Sequence, residues 1–166
     1  MAVQGWPSSL KWHQFRTIRQ RPPGEDQNAQ IQTDTRAPSR VEIEKDGAQL
    51  RLVGFEVQNV VVRAGSWVVQ GTATPALLKH EQGHWDIAGL CAYEYYRNLE
   101  ALRAPNRTAL QAGANTAHQD MKQKANLLQA KYDRQTHHGG DTAAQVHWDR
   151  LIQDAIRHNY RALPAP

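Results

Sequence analysis

Apolar and polar residues change their spacing twice along the 166-residue chain, and each change marks a different kind of segment. Residues 19–39 (RQRPPGEDQNAQIQTDTRAPS) are polar and rich in turn formers, which predicts a long connection with one short strand at its end and no buried structure. From Val41 the pattern alternates. Val41 and Ile43, then Leu50 and Leu52, flank Lys45-Asp46-Gly47, and Asp-Gly between alternating runs predicts a β-hairpin. The run NVVVRAGSWVVQG adds β-branched and aromatic residues around a break at Gly65-Ser66. A small antiparallel sheet over about residues 30–70 is the expectation.

Beyond Thr74-Pro75 the apolar period shifts toward 3.6, and Pro75 suits the first turn of a helix, where its missing N–H would have no partner in any case. Leu77, Leu78, Ile87, Ala88, Cys91, Tyr95, Leu99 and Leu102 form a broad apolar side that runs up to Pro105, where proline ends it. A second helix, polar and rich in Ala and Gln, is predicted over about residues 107–132, and a third over about 142–160 with Asp141 as N-cap. DRQTHHGGD between them reads as a loop because of its Gly pair. The expected fold class is α+β: a small antiparallel sheet followed by one helix packed on two others.

With 40% hydrophobic and 22% charged residues, the chain has the size and balance of one globular domain, residues 1–166. No apolar run approaches the roughly 20 residues that a membrane-crossing helix needs. The net charge of +4 is a mild excess; Arg16, Arg19 and Arg21 are grouped near the start, yet no long basic block or aromatic-interleaved stripe follows, so nucleic acid is not an expected partner. Cys91 is alone, which excludes an internal disulfide and a thiolate metal cluster. Any metal must use His, Asp or Glu. The first residues, MAVQGWPSSLKWHQF, lack the charged start, long apolar centre and small-residue cleavage site of a secretory signal, and a single thiol suits either redox compartment.

Packing does not explain His80, Glu81 and His84 at the start of the first helix. Residues four apart lie about 40° apart around a helix axis and one turn along it, so His80 and His84 project side by side and can chelate one ion. Zinc accepts neutral imidazole nitrogens, and a catalytic zinc has three protein ligands with a fourth position left to water. Glu81 points to the flank of the pair, where its carboxylate can take a proton without occupying the ion. This is the arrangement of H-E-x-x-H metallopeptidases, in which the ion acidifies water and polarises the scissile carbonyl while the glutamate passes the proton to the leaving amine. The plain alternative is a solvated helix face or histidines satisfied inside a core. A helix with a clear start after a β-rich segment, as in zincin-type sites, favours metal.

A third ligand has to come from elsewhere in the chain. The metzincin continuation would place Gly and His where this chain has Ile87 and Leu90, and Glu94 lies about 15 Å along the axis from His84, too far to share an ion. The best source is the loop YDRQTHHGGD. His138 ranks ahead of Asp133, followed by His118, Asp86 and Asp141, and the unused member of the leading pair, or Tyr132, could donate a hydrogen bond to the tetrahedral oxyanion. The Trp residues read as core or edge packing rather than stacking platforms.

The stretches LLKHEQGHWDIA and YDRQTHHG…AAQVHWDRLI resemble a bacterial family of zinc-dependent proteases predicted from their sequences, a domain-of-unknown-function group with a zincin-like motif helix. The likeness extends to LKWHQF and to Ser66-Trp67. Tyr132, Asp133, Thr136, His138, Gly139, Gln145 and Trp148 match the family's later pattern; Gln135 stands where an acidic residue is common. The resemblance implies that the loop belongs to the site, and that the protein works outside the cytoplasm, in the periplasm or secreted. The residues and the resemblance together point to a zinc-dependent peptidase with one Zn2+ per chain and a protein or peptide substrate. The other readings are a noncatalytic interaction or assembly module that keeps a metal site, and an amidase acting on cell-wall cross-links. Cobalt, nickel or manganese could replace zinc in vitro.

Overall fold

The computed structural model describes residues 3–164. Among them the chain runs β1 (Val3–Gln4), a 3-10 turn (Trp12–Gln14), β2 (Arg16–Ile18), β3 (Ala29–Gln30), β4 (Thr33–Arg36), β5 (Glu42–Asp46), β6 (Gln49–Val53), β7 (Val57–Val61), β8 (Trp67–Val69), α1 (Pro75–Ala101), β9 (Arg103–Ala104), α2 (Arg107–Thr136) and α3 (Thr142–Arg157). The α+β class holds, with antiparallel-rich small sheets beside three helices. No helix of the described residues is long and apolar enough to cross a membrane.

The central element is α1. Thr74 caps it, its hydroxyl accepting the Leu77 N–H at 3.1 Å, and Pro75 occupies the first turn as expected. From His80 to Ala92 every side chain but Gln82 is buried. The helix packs against α2 and α3 and against strands that include β4, β6 and β7. Being surrounded explains why chemistry-bearing residues can sit in its middle without facing water.

The single antiparallel sheet expected over residues 30–70 is instead three small sheets, ordered β1-β7-β4, β2-β8-β3 and β5-β6-β9. The β5–β6 hairpin forms as predicted, in register from Glu42↔Val53 to Asp46↔Gln49, with Gly47 at φ +62° in the turn. The other two sheets are mixed, because the N-terminal segment adds β1 parallel to β7 and β2 parallel to β8. Strands of two or three residues are too short to show an alternating period, so these edges left no pattern to read. The polar connection is corrected too: it carries β3 and β4, and Ala29 and Thr35 are buried. At its far end α1 stops at Ala101, short of Pro105, because Arg103 and Ala104 leave the helix to pair with β6.

The N-terminal segment is seated on α1 by Trp6, Leu10 and Phe15, all in the core. The Trp6 indole N–H donates to Asp86 Oδ1 at 2.9 Å, and its ring lies where a Cβ on Gly89 would come within 2.2 Å. Only glycine leaves that space. Gly89→Ala is therefore expected to destabilise by about 1–3 kcal/mol through overpacking. At roughly 2–4 °C per kcal/mol, the thermal midpoint should fall by several degrees, and an unchanged midpoint would show that Trp6 does not dock there.

Asn106 and Asp141 cap α2 and α3 with side-chain oxygens on the N–H groups of Ala109 and Ala144, both at 2.9 Å. Asp141 thus has the capping role expected of it, while α3 ends at Arg157, before Tyr160. The change that matters for the site is at the other end of α2. This helix continues through Asp133 to Thr136, four residues past the predicted end at Tyr132.

Candidate metal centre

Two turns of two helices meet at His80 and His84 of α1 and Asp133 in the last turn of α2. The two imidazole Nε2 atoms are 3.2 Å apart, and Asp133 Oδ1 lies 3.2 Å from His80 Nε2 and 2.8 Å from His84 Nε2. Bonds of 2.0–2.1 Å to a tetrahedral zinc would set its donor atoms about 3.3 Å apart. All three separations lie within about half an ångström of that spacing.

The outer nitrogens of both rings are committed elsewhere. His80 Nδ1 lies 3.2 Å from the Gln145 amide oxygen, and His84 Nδ1 is hydrogen bonded to the Gln129 amide oxygen. An amide oxygen only accepts, so each Nδ1 carries a proton, and a ring with no second proton turns the lone pair of Nε2 inward. Two lone pairs and a carboxylate oxygen then face one another in a buried space. Such a trio requires positive charge between its members. The titration directions say the same. Burial pulls the His84 pKa down, but its hydrogen bond to Asp133 and the charges of Asp133 and Glu81 outweigh this and raise it. Burial pushes Asp133 up, yet its bonds to His80 and His84 hold it well below the usual carboxylate range.

Glu81 follows His80 and is 1% exposed. Its Oε2 accepts the Ile31 N–H at 2.8 Å, while Oε1 is buried with no hydrogen-bond partner. Burial raises its pKa, opposed by His84, His80 and the Ile31 N–H. A cation at the neighbouring trio would favour its charged form. The donor set, the spacing and this orphaned oxygen fit a zinc ion.

Tyr132 is in a different place from the one expected. It is fully buried, its ring stacked on His80 with centroids 4.8 Å apart, and its hydroxyl donates to the His80 carbonyl at 3.0 Å. The same oxygen accepts from Gln145 Nε2 at 2.7 Å. With its hydroxyl occupied beneath the helix, Tyr132 does not reach a substrate oxyanion; it braces the motif helix from below. A Cβ at Gly83 would come within 2.1 Å of that hydroxyl, so the glycine inside the motif is what lets Tyr132 approach.

His138, ranked first as third ligand, stands beside the trio. Its Nδ1 is 3.3 Å from Asp133 Oδ1, and its ring centroid is 6.5 Å from that of His80. It is about a third exposed, and His137 and His138 both have left-handed backbones, with φ of 47° and 52°. The chain turns sharply out of α2 at these two residues and leaves the His138 ring beside Asp133. The more distant candidates are occupied elsewhere: His118 Nε2 bonds the Thr35 carbonyl, Asp86 holds Trp6 and Gln82, and Asp141 caps α3. Gln135 accepts the Trp148 indole N–H at 2.9 Å. Buried Cys91 has its thiol pKa pushed up to about 12 by burial and takes no part.

Gln129 is one of the residues that sequence reasoning passed over. In a Gln-rich helix it does not stand out, but it lies four residues before Asp133, on the same face of α2. That offset was the available signal once α2 was known to reach Asp133.

Residues 65–139 match a family model described as a bacterial protein of unknown function (DUF922). The match covers less than half of the chain. It spans β8, α1 and α2, including His80, Glu81, His84, Asp133 and His138, and leaves out both the LKWHQF stretch and α3. No curated protein and no solved structure matches the chain.

Proposed function

We propose that the protein is a zinc-dependent hydrolase of peptide bonds, with His80, His84 and Asp133 holding the ion and Glu81 as general base. The observation that carries this reading is the convergence of two imidazole Nε2 atoms and one carboxylate oxygen beside a buried carboxylate with an unpartnered oxygen. When bound, zinc supplies a Lewis acid that polarises a carbonyl and acidifies water.

The Ile31 N–H holds Glu81 Oε2 and leaves Oε1 to receive a proton from the attacking water; the same oxygen then delivers it to the leaving amine nitrogen. His138, partly exposed at the edge of the trio, is the donor placed to steady the oxyanion.

Elemental analysis of the purified protein should give about one zinc per chain. Cleavage of an unfolded protein should vanish on treatment with 1,10-phenanthroline and return on addition of zinc. Cleavage confined to cell-wall fragments would instead establish the amidase reading, and a zinc-loaded protein that cleaves neither would leave the noncatalytic module.

A further inference from the structure

We infer that Asp149, on α3 and out of reach of the ion, is a positioning residue that fixes which nitrogen of His80 faces the metal centre. The inference rests on the metal site proposed above and deepens it. The Gln145 amide could present either its oxygen or its nitrogen to His80 Nδ1, and the two choices have opposite consequences. With the oxygen there, Nδ1 must carry the proton and Nε2 is free to bind; with the NH2 there, Nδ1 must accept, Nε2 is protonated and the ligand is lost.

The choice is made on the far side of the amide. Gln145 Nε2 lies 2.8 Å from Asp149 Oδ1 and 2.7 Å from the Tyr132 hydroxyl oxygen. Tyr132 has one proton and donates it to the His80 carbonyl, so toward Gln145 it accepts; yet a hydroxyl can rotate and exchange that role. Asp149 has no such freedom. A carboxylate only accepts, and Lys79 Nζ lies 2.5 Å from its other oxygen, Oδ2. The NH2 group must therefore face Asp149 and the oxygen must face His80, at 3.2 Å. The His84 ring needs no comparable residue, because Gln129 Nε2 donates to the carbonyl of His84 itself at 3.0 Å, a backbone group that can only accept. One ring is oriented by its own helix and the other by a charge on α3.

Asp149→Asn tests this directly, because the amide it introduces can donate to Gln145 and so permits the flipped arrangement at almost unchanged volume. Zinc affinity, measured by competition with a chromophoric chelator, should fall about 10–100-fold, the range for outer partners of metal-bound histidines, while the thermal midpoint of the metal-free protein changes little. The double variant Gln145→Glu with Asp149→Asn restores the polarity and should regain most of the lost affinity. In it the carboxylate introduced at position 145 accepts from His80, and the amide introduced at position 149 donates to that carboxylate. In the zinc-loaded wild type, long-range 15N NMR should show His80 bound through Nε2 with a proton on Nδ1. Unchanged zinc affinity in Asp149→Asn, a double variant no tighter than the single one, or a His80 bound through Nδ1 would each overturn the inference. A wild type with no affinity for zinc would remove the metal site itself and this role with it.

Discussion

Glu81→Gln should lower peptide hydrolysis by about 10²–10⁴-fold, the usual contribution of a positioned general base, while zinc content stays at the wild-type level. The two side chains have the same shape. The amide oxygen introduced by the substitution can still accept the Ile31 N–H that Glu81 Oε2 accepts at 2.8 Å, so the link between α1 and the β3–β4 connection survives. What is lost is the capacity of Oε1 to take a proton. Stability should not fall, because burial disfavours the charged carboxylate and a neutral amide escapes that cost. Parallel measurements of zinc content, thermal midpoint and cleavage of an unfolded protein therefore separate chemistry from folding. Cleavage at the wild-type rate would remove Glu81 from the mechanism. A noncatalytic module would show the opposite pattern, with the variant equal to wild type in any binding assay.

Part of this site was legible because one helical turn is a fixed geometry. His80 and His84 had to be neighbours once α1 was a helix, and Thr74-Pro75 and the apolar spacing made it one. The third member was harder, for a local reason. Reading α2 as ending at Tyr132 places Asp133 and His138 in one flexible loop, where Gly139-Gly140 favours the histidine. In the structure Thr136 closes the last turn, its hydroxyl donating to the Tyr132 carbonyl at 2.7 Å, and the chain leaves the helix only at His137. Asp133 thereby gains the rigid direction of a helical side chain, in line with Gln129, and His138 is turned to the rim. The N-terminal strands were invisible for another reason: β1 and β2 owe their existence to the edges of β7 and β8, not to any pattern of their own.

That geometry makes the pair Asp133→Ala and His138→Ala decisive about the third ligand. Loss of an outer partner of a metal-bound histidine costs about 10–100-fold in affinity, so loss of a ligand at Asp133 should exceed about 100-fold. His138→Ala should leave zinc bound and slow hydrolysis instead. The reverse result, with zinc lost from His138→Ala and kept by Asp133→Ala, would return the ligand role to the loop. The metal-free protein offers an independent check, because Asp133 then compensates the two imidazoles alone. Its carboxyl pKa is depressed in the folded state, so its contribution to stability is present above the ordinary value of 3.8 and is lost as pH falls below it. The pKa of His84 is raised by the same contact, so that contribution is complete at acid pH and fades as pH rises through the raised value. Without metal, wild type should therefore be more stable than Asp133→Ala in a window that opens on the acid side of the ordinary carboxylate value and closes on the alkaline side of an ordinary histidine. With zinc bound the histidines are held neutral, and the alkaline edge of that window should disappear. Denaturant titrations across pH, with and without zinc, would read both edges, and an advantage that persisted unchanged at high pH without metal would show that Asp133 is not paired with His84.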